Sequence, residues 1–257
     1  MAIPKVIHYF WFGKKELPEL AKRCLESWKK FCPDYEIKLW NEENFDIHCI
    51  PFVEQAYEAK KFAFVTDYAR FFILYKEGGV YIETDTELLK PIDRFLNDGM
   101  FLGIGKDDVT VCVFGMEKHH PLAQAVLDYY KERPFTYAPN VYDMTTVNVI
   151  IHKILIDQFG FIHKNKFQRL KGNICMYPTK FFLTDWTYGG LNHKESVAFH
   201  YADGSWLTPE LREQKRILLK CVKLFGKRAG WRIGNVLYYL KYHGLKLTVK
   251  KCFEKLK

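Results

Sequence analysis

A short apolar strand that runs straight into carboxylates constrains this chain more than any other feature. The stretch Thr66–Asp93 reads TDYARFFILYKEGGVYIETDTELLKPID. Thr66 is suited to cap a helix, since its hydroxyl can accept an orphan backbone N–H one turn on. From Asp67 to Glu77 the apolar residues Phe71, Leu74 and Tyr75 recur with helical spacing. Gly78 stands where a helix C-terminus wants a positive φ. Val80, Tyr81 and Ile82 then form a strand that ends in Glu83-Thr84-Asp85-Thr86-Glu87. Carboxylates are almost never buried unpaired, and ligands of α/β sheets bind at the carboxyl ends of strands. The chemistry is expected there.

Around this stretch the chain alternates strands and helices. KVIHYFWF (5–12) predicts a first strand, and Leu17, Leu20, Ala21, Cys24, Leu25, Trp28 and Phe31 predict an amphipathic helix. YEIKLW (35–40) predicts a second strand, giving a βαβ unit and a parallel sheet. Further strands are expected at Met100–Ile104, Val109–Phe114, Ile174–Tyr177 and Val197–Tyr201, and helices at Pro121–Tyr130 and Thr145–Phe159. The fold class is α/β. At 257 residues, 48% hydrophobic and 17% aromatic, the chain can bury a full core.

Charge divides the chain. Residues 211–257 hold 14 Lys+Arg and 2 Asp+Glu, which leaves 25 basic and 28 acidic residues in 1–210. The body is slightly acidic, which argues against a nucleic-acid-binding protein. Domains are therefore expected at 1–210 and 211–257, the second a basic amphipathic helical extension suited to an anionic membrane surface, or packed on the body with a solvated basic face. Seven scattered cysteines fit reduced thiols rather than a disulfide framework or zinc site. With no signal-peptide pattern and no run near ~18 apolar residues, the expected location is cytoplasmic, at most peripheral on the inner face of the membrane.

Glu83 and Asp85 share a side if extended geometry continues past Ile82. Two hard oxygen donors at a strand end suit Mn2+ or Mg2+; a solvated acidic loop is the bland alternative. Asp67 and Arg70, three apart, share a helix face. They could grip a polyhydroxylated or phosphorylated ligand, or be an ordinary helical ion pair. His119-His120 reads as a solvated loop. The aromatic loop 181–188 fits either core or a sugar groove, and His193 reads as surface.

TDYARFFILYKEGGVYIETD resembles the signature of the DXD-containing glycosyltransferases of family 32, the sugar-binding-region family, which includes bacterial capsular-polysaccharide transferases and fungal mannosyltransferases, with clostridial glucosylating toxins as distant relatives. IPKVIHYFWFG resembles the family's first nucleotide-contacting strand, and HYADGSW (200–206) its C-terminal element. The resemblance implies a GT-A-type nucleotide-sugar-binding fold, a Rossmann-like mixed sheet flanked by helices. It implies a metal-dependent retaining hexosyltransferase that uses a nucleotide sugar, with UDP-galactose or UDP-glucose favoured over GDP-mannose. The acceptor would be a saccharide or lipid-linked glycan in surface polysaccharide synthesis. Carried over, Asp85, Glu83 and His200 would hold the metal. Thr66, Asp67 and Arg70 would meet the donor sugar, Ser205 and Trp206 the diphosphate and nucleotide, and His8, Tyr9 and Trp11 the base. The sequence departs from the family at Glu83, where Asp is usual, at Thr66, where Ser is usual, and around 144–148, where a Gly-Pro segment is not recognisable. A toxin-like protein-modifying transferase and a non-catalytic nucleotide-sugar-binding protein are the alternatives.

Overall fold

The computed structural model describes residues 2–182, 194–202, 204 and 209–254, excluding the side chains of 209, 227 and 245–254. Ser205, Trp206, His193 and residues 183–188 of the aromatic loop lie outside the described residues. The chain forms two compact units, 1–185 with 191–202, and 186–190 with 203–257.

The first unit opens as the expected βαβ: β1 (Val6–Phe10), α1 (Glu19–Phe31) and β2 (Glu36–Trp40). α2 (Pro51–Glu58) and α3 (Phe62–Glu77) lead into β3 (Gly79–Ile82) and β4 (Thr86–Leu88). β5 (Met100–Ile104), β6 (Val109–Met116) and α4 (Pro121–Tyr130) follow, then β7 (Thr136–Ala138), β8 (Val141–Tyr142) and α5 (Val147–Ile154). β9 (Gln168–Leu170), β10 (Ile174–Tyr177) and β11 (Ala198–His200) complete it. Seven strands make one sheet in the order β2-β1-β3-β6-β5-β10-β9. β1 runs parallel to β2 and β3, and β10 to β5, whereas β6 is antiparallel to both its neighbours. The sheet is mixed, not parallel throughout. The mixed sheet flanked by helices implied by the resemblance is what forms.

Strand alternation sorts the side chains into two cores. Phe10, Tyr81, Leu102 and Phe114 pack with α2, α3, α4 and α5. Ile7, Tyr9, Val80, Ile82 and Phe101 pack with Cys24 and Trp28 of α1 and with Leu88, Phe95 and Ala198. β3 is thus covered on both faces, which is why it reads as an uninterrupted apolar run.

Two local expectations change. α3 starts at Phe62, so Thr66 lies inside the helix and its hydroxyl donates to the Phe62 carbonyl, 3.1 Å, instead of capping. Phe64 and Val65 are buried, and that burial extends the helix upstream without a side-chain cap. His120 is no solvated loop residue: it is buried, caps α4 by accepting from the Leu122 N–H at 3.2 Å, and bonds the Gly172 carbonyl at 2.9 Å.

Gly78 and Gly79 both take positive φ, +68° and +106°, and fold α3 back into β3. A Cβ on Gly79 would sit 2.8 Å from both His8 Nε2 and the Val6 carbonyl, so only glycine fits the crossing.

In the second unit a helical segment, α6 (Pro209–Glu254), is interrupted at Gly226 (φ +73°) and Gly244 (φ +73°). The single amphipathic helix expected of the tail is therefore broken. Segments 209–225 and 227–243 form an antiparallel hairpin, with the Tyr238 hydroxyl bonded to Glu210 at 2.8 Å and Lys241 to Glu213 at 2.9 Å.

Candidate functional site

β1 and β3 are parallel with His8 opposite Tyr81, so Glu83 sits level with Phe10 at the carboxyl end of the sheet. Glu83 continues the ladder, its N–H donating to the Cys112 carbonyl at 2.9 Å. The chain then turns: the Thr86 N–H donates to the Glu83 carbonyl, 2.9 Å. The extended geometry expected to align Glu83 with Asp85 does not continue. The two carboxylates converge because β11 pairs with β4 and sets His200 opposite Thr86, while the Tyr201 N–H holds the Asp85 carbonyl at 2.9 Å.

His200 Nε2 lies 3.1 Å from Glu83 Oε2 and 3.4 Å from Asp85 Oδ1. Among the described residues, Glu83, Asp85 and His200 are the group able to hold a metal ion, their ligand atoms all within 4.8 Å of one another. Two carboxylate oxygens and an imidazole nitrogen suit a hard or borderline divalent cation such as Mn2+.

Behind this group lies the second constellation. Arg70 is 4% exposed. It donates to Asp67 Oδ1 at 2.7 Å, to Glu83 Oε1 at 3.1 Å and to the Thr66 carbonyl at 3.1 Å, and its guanidinium stacks 4.5 Å over the Tyr81 ring. Glu83 therefore bridges: one oxygen takes the guanidinium of α3, the other the imidazole of β11. The methylene that distinguishes it from Asp lengthens this span. Asp67 Oδ2 accepts the Val147 N–H at the start of α5, 3.3 Å.

Burial pushes the Asp67 carboxyl up to about 6, although Arg70 and the Val147 N–H oppose the shift. Burial would also raise Glu83, but the His200 and Arg70 cations outweigh it and hold Glu83 below its usual range. His200 is driven well above its ordinary value, since Asp85 and Glu83 overcome the burial that would lower it. Three carboxylates against one guanidinium leave two negative charges when His200 is neutral, the complement of a divalent cation.

The residues expected at the base-binding wall are placed differently from one another. His8 is fully buried beneath the sheet end. Its Nδ1 accepts the Trp40 indole N–H at 3.0 Å and its Nε2 donates to the Gly78 carbonyl at 3.0 Å, so both nitrogens are engaged inside the protein. Tyr9 packs edge-on against Trp28, with ring centroids 5.7 Å apart. Trp11 is half-buried at the rim, donating to the Lys15 carbonyl at 2.6 Å. Phe182, at the start of the aromatic loop, is core, packed on Phe95 and Phe101. The Tyr81 ring and the Val147 N–H are contributors that sequence reasoning missed: a strand residue looks like core, and a backbone donor leaves no residue signature.

Burial pushes His8 down to about 4 from 6.5. The unfolded chain takes up a proton below 6.5 and the folded chain does not, so stability falls as pH drops from 6.5 towards 4. The expected loss is about 3 kcal/mol across that window. His8→Gln keeps a donor and an acceptor without a titrating site, and urea melts of this variant should show a flatter pH dependence by about one proton. An unchanged slope would contradict the assignment.

Part of the chain is similar to known proteins. Residues 18–102, which include Asp67, Arg70, Glu83 and Asp85, match the family described as glycosyltransferase sugar-binding region containing DXD motif. Inositol phosphoceramide mannosyltransferase 1 of Schizosaccharomyces pombe is 31% identical over 156 residues, covering 54% of this chain and 47% of that protein. The initiation-specific alpha-1,6-mannosyltransferase of Candida albicans is 27% identical, covering 44% of this chain and 32% of that one. The chain thus spans less than half the length of these relatives. A solved PaToxG glycosyltransferase superposes with TM-score 0.48 at 19% identity, covering 61% of this chain and 69% of that one. Over residues 18–102 the chain is similar to the glycosyltransferase sugar-binding-region family that carries the DXD motif.

Proposed function

We propose that this chain is a metal-dependent, retaining glycosyltransferase of GT-A type that moves a hexose from a nucleotide sugar to a saccharide or lipid-linked glycan. One observation carries the reading: Glu83, Asp85 and His200 meet at the carboxyl end of β3, in direct contact with the Asp67–Arg70 pair. Asp85, His200 and Glu83 would hold Mn2+ or Mg2+, which supplies Lewis-acid stabilisation of a departing diphosphate. Arg70 acts from behind. With three of its five N–H donors on Asp67, Glu83 and the Thr66 carbonyl, it fixes the carboxylates at the site and is read as a positioning residue. Asp67, ionised at neutral pH and anchored on two sides, would accept from donor-sugar hydroxyls.

The sequence reading favours a UDP-hexose, while the relatives' names specify mannosyl transfer. A thermal-shift screen with Mn2+ and UDP-glucose, UDP-galactose or GDP-mannose separates these, since a ligand that binds only the folded state raises its stability by mass action. At about 100 times its Kd, the correct donor adds about 2.7 kcal/mol, a shift of a few degrees. No shift with any nucleotide sugar would contradict the proposal, and a shift without hydrolysis or transfer would favour the binding-protein alternative.

A further inference from the structure

The helical hairpin of the second unit carries an exposed apolar and basic end. Its two arms are held by their inner faces. Leu218, Cys221, Val222 and Tyr238 are buried, and Gly230 and Gly234 let the backbones close. A Cβ on Gly230 would lie 2.3 Å from Val222 Cα, and one on Gly234 2.9 Å from Leu218 Cα. Further along, Glu213 bonds both Arg216 and Lys241 and ties the open end. Exposed apolar side chains occur along both arms, but the two most exposed among the hairpin's described residues adjoin the turn at Gly226. Leu224 is 75% exposed, Phe225 54% and Trp231 41%, all within one turn of Gly226 or just after it. Around them Lys220, Lys223, Arg228 and Arg232 are exposed, and residues 220–232 hold five basic residues and no acid.

Hairpin ends in water carry polar turn residues. Three large apolar side chains kept in solvent at one tip mark an interaction surface. The ring of cations selects a partner that is both apolar and anionic. A protein partner could satisfy either property, but a bilayer of anionic lipids supplies both at the same depth: headgroup phosphates for the cations, and the acyl boundary for leucine, phenylalanine and tryptophan. No helix among the described residues is long and apolar enough to cross a membrane.

We propose that the Gly226 end of this hairpin docks on an anionic membrane surface, with Leu224, Phe225 and Trp231 entering the interface and Lys220, Lys223, Arg228 and Arg232 among the headgroups. This docking is independent of the donor chemistry and survives if the proposed transfer reaction is wrong.

The test is flotation of the full chain with vesicles of phosphatidylcholine containing about 30% phosphatidylglycerol, against phosphatidylcholine alone. The chain should float with the anionic vesicles only, and lose most of that binding in about 1 M salt, where the Debye length falls to about 3 Å. The triple variant Leu224→Ser, Phe225→Ser, Trp231→Ser should bind about a hundredfold less. Lys223→Gln with Arg228→Gln should lower binding about fivefold for each charge removed. All these side chains are exposed, so circular dichroism and donor hydrolysis should not change. Equal flotation with both vesicle types would overturn the proposal, as would undiminished binding by the serine variant. So would a dimer, seen by sedimentation, that the serine variant dissolves while neither protein floats. Oligonucleotide binding that displaces the vesicles and ignores the serine changes would assign the tip to nucleic acid instead.

Discussion

Asp85→Asn is expected to lower sugar-nucleotide turnover about 100- to 1000-fold, the scale on which fixed electrostatic groups act in transition-state stabilisation. The substitution preserves shape and removes one charge from the cluster. Asp85 meets His200 at 3.4 Å from the far side of the turn that starts at Glu83, whereas Glu83 is tied down by Arg70. Changing Asp85 therefore leaves the Arg70–Glu83 tie in place. Its loss leaves the cluster with one net negative charge rather than two when His200 is neutral. Thermal stability should fall by no more than about 1 kcal/mol, because like charges within the group also repel. Activity should be partly recovered at high Mn2+ if the lesion is metal affinity. Steady-state kinetics with the donor found by thermal shift reads the effect; a change below about threefold would remove Asp85 from the chemistry.

Arg70→Met carries the largest expected stability effect, about 3–5 kcal/mol, since it strips the counter-charge from the buried Asp67 and the half-buried Glu83. Asp67 and Glu83 each lose a charge-assisted bond, and the Thr66 carbonyl loses its side-chain donor. The sign with pH follows from Asp67. Its folded pKa of about 6 lies above 3.8, so the neutral form favours folding below 3.8 and that contribution disappears as pH rises through 6. Without Arg70 the folded value rises further. The variant's deficit should therefore be greater at pH 8 than at pH 5, as measured by urea denaturation at both pH values. Arg70→Lys retains a charge but not the three-way fork, and should recover only part of the stability. Loss below about 1 kcal/mol for Arg70→Met would show that the buried pair is not what organises Glu83.

The framework was readable because its signals are local. Local patterns placed β1, α1, β2, α4 and β10, the last two to the residue. α2, with eight residues, was too short to show a period, and β7, β8 and β9 have only two or three residues each. The start of α3 was misread because Thr66 resembles a cap, whereas burial of Phe64 and Val65 carries the helix a turn further back. The site shows the same division. Asp67 and Arg70 share a face because helices impose it. Glu83 and Asp85 meet for a reason local pattern could not show: the chain turns after Glu83, and β11, more than a hundred residues away, brings His200 between them. His200 was legible only through the family resemblance. His8, expected through the same resemblance, spends both nitrogens on Trp40 and Gly78.

The proposed chemistry requires Glu83, Asp85 and His200 to form one divalent-cation site. Titration of Mn2+ into the protein, followed by the electron paramagnetic resonance signal of the free ion, measures this directly. The expected result is one saturable site per chain, abolished in Asp85→Asn. Absence of saturable binding in the wild type, or equal binding by the variant, would contradict it.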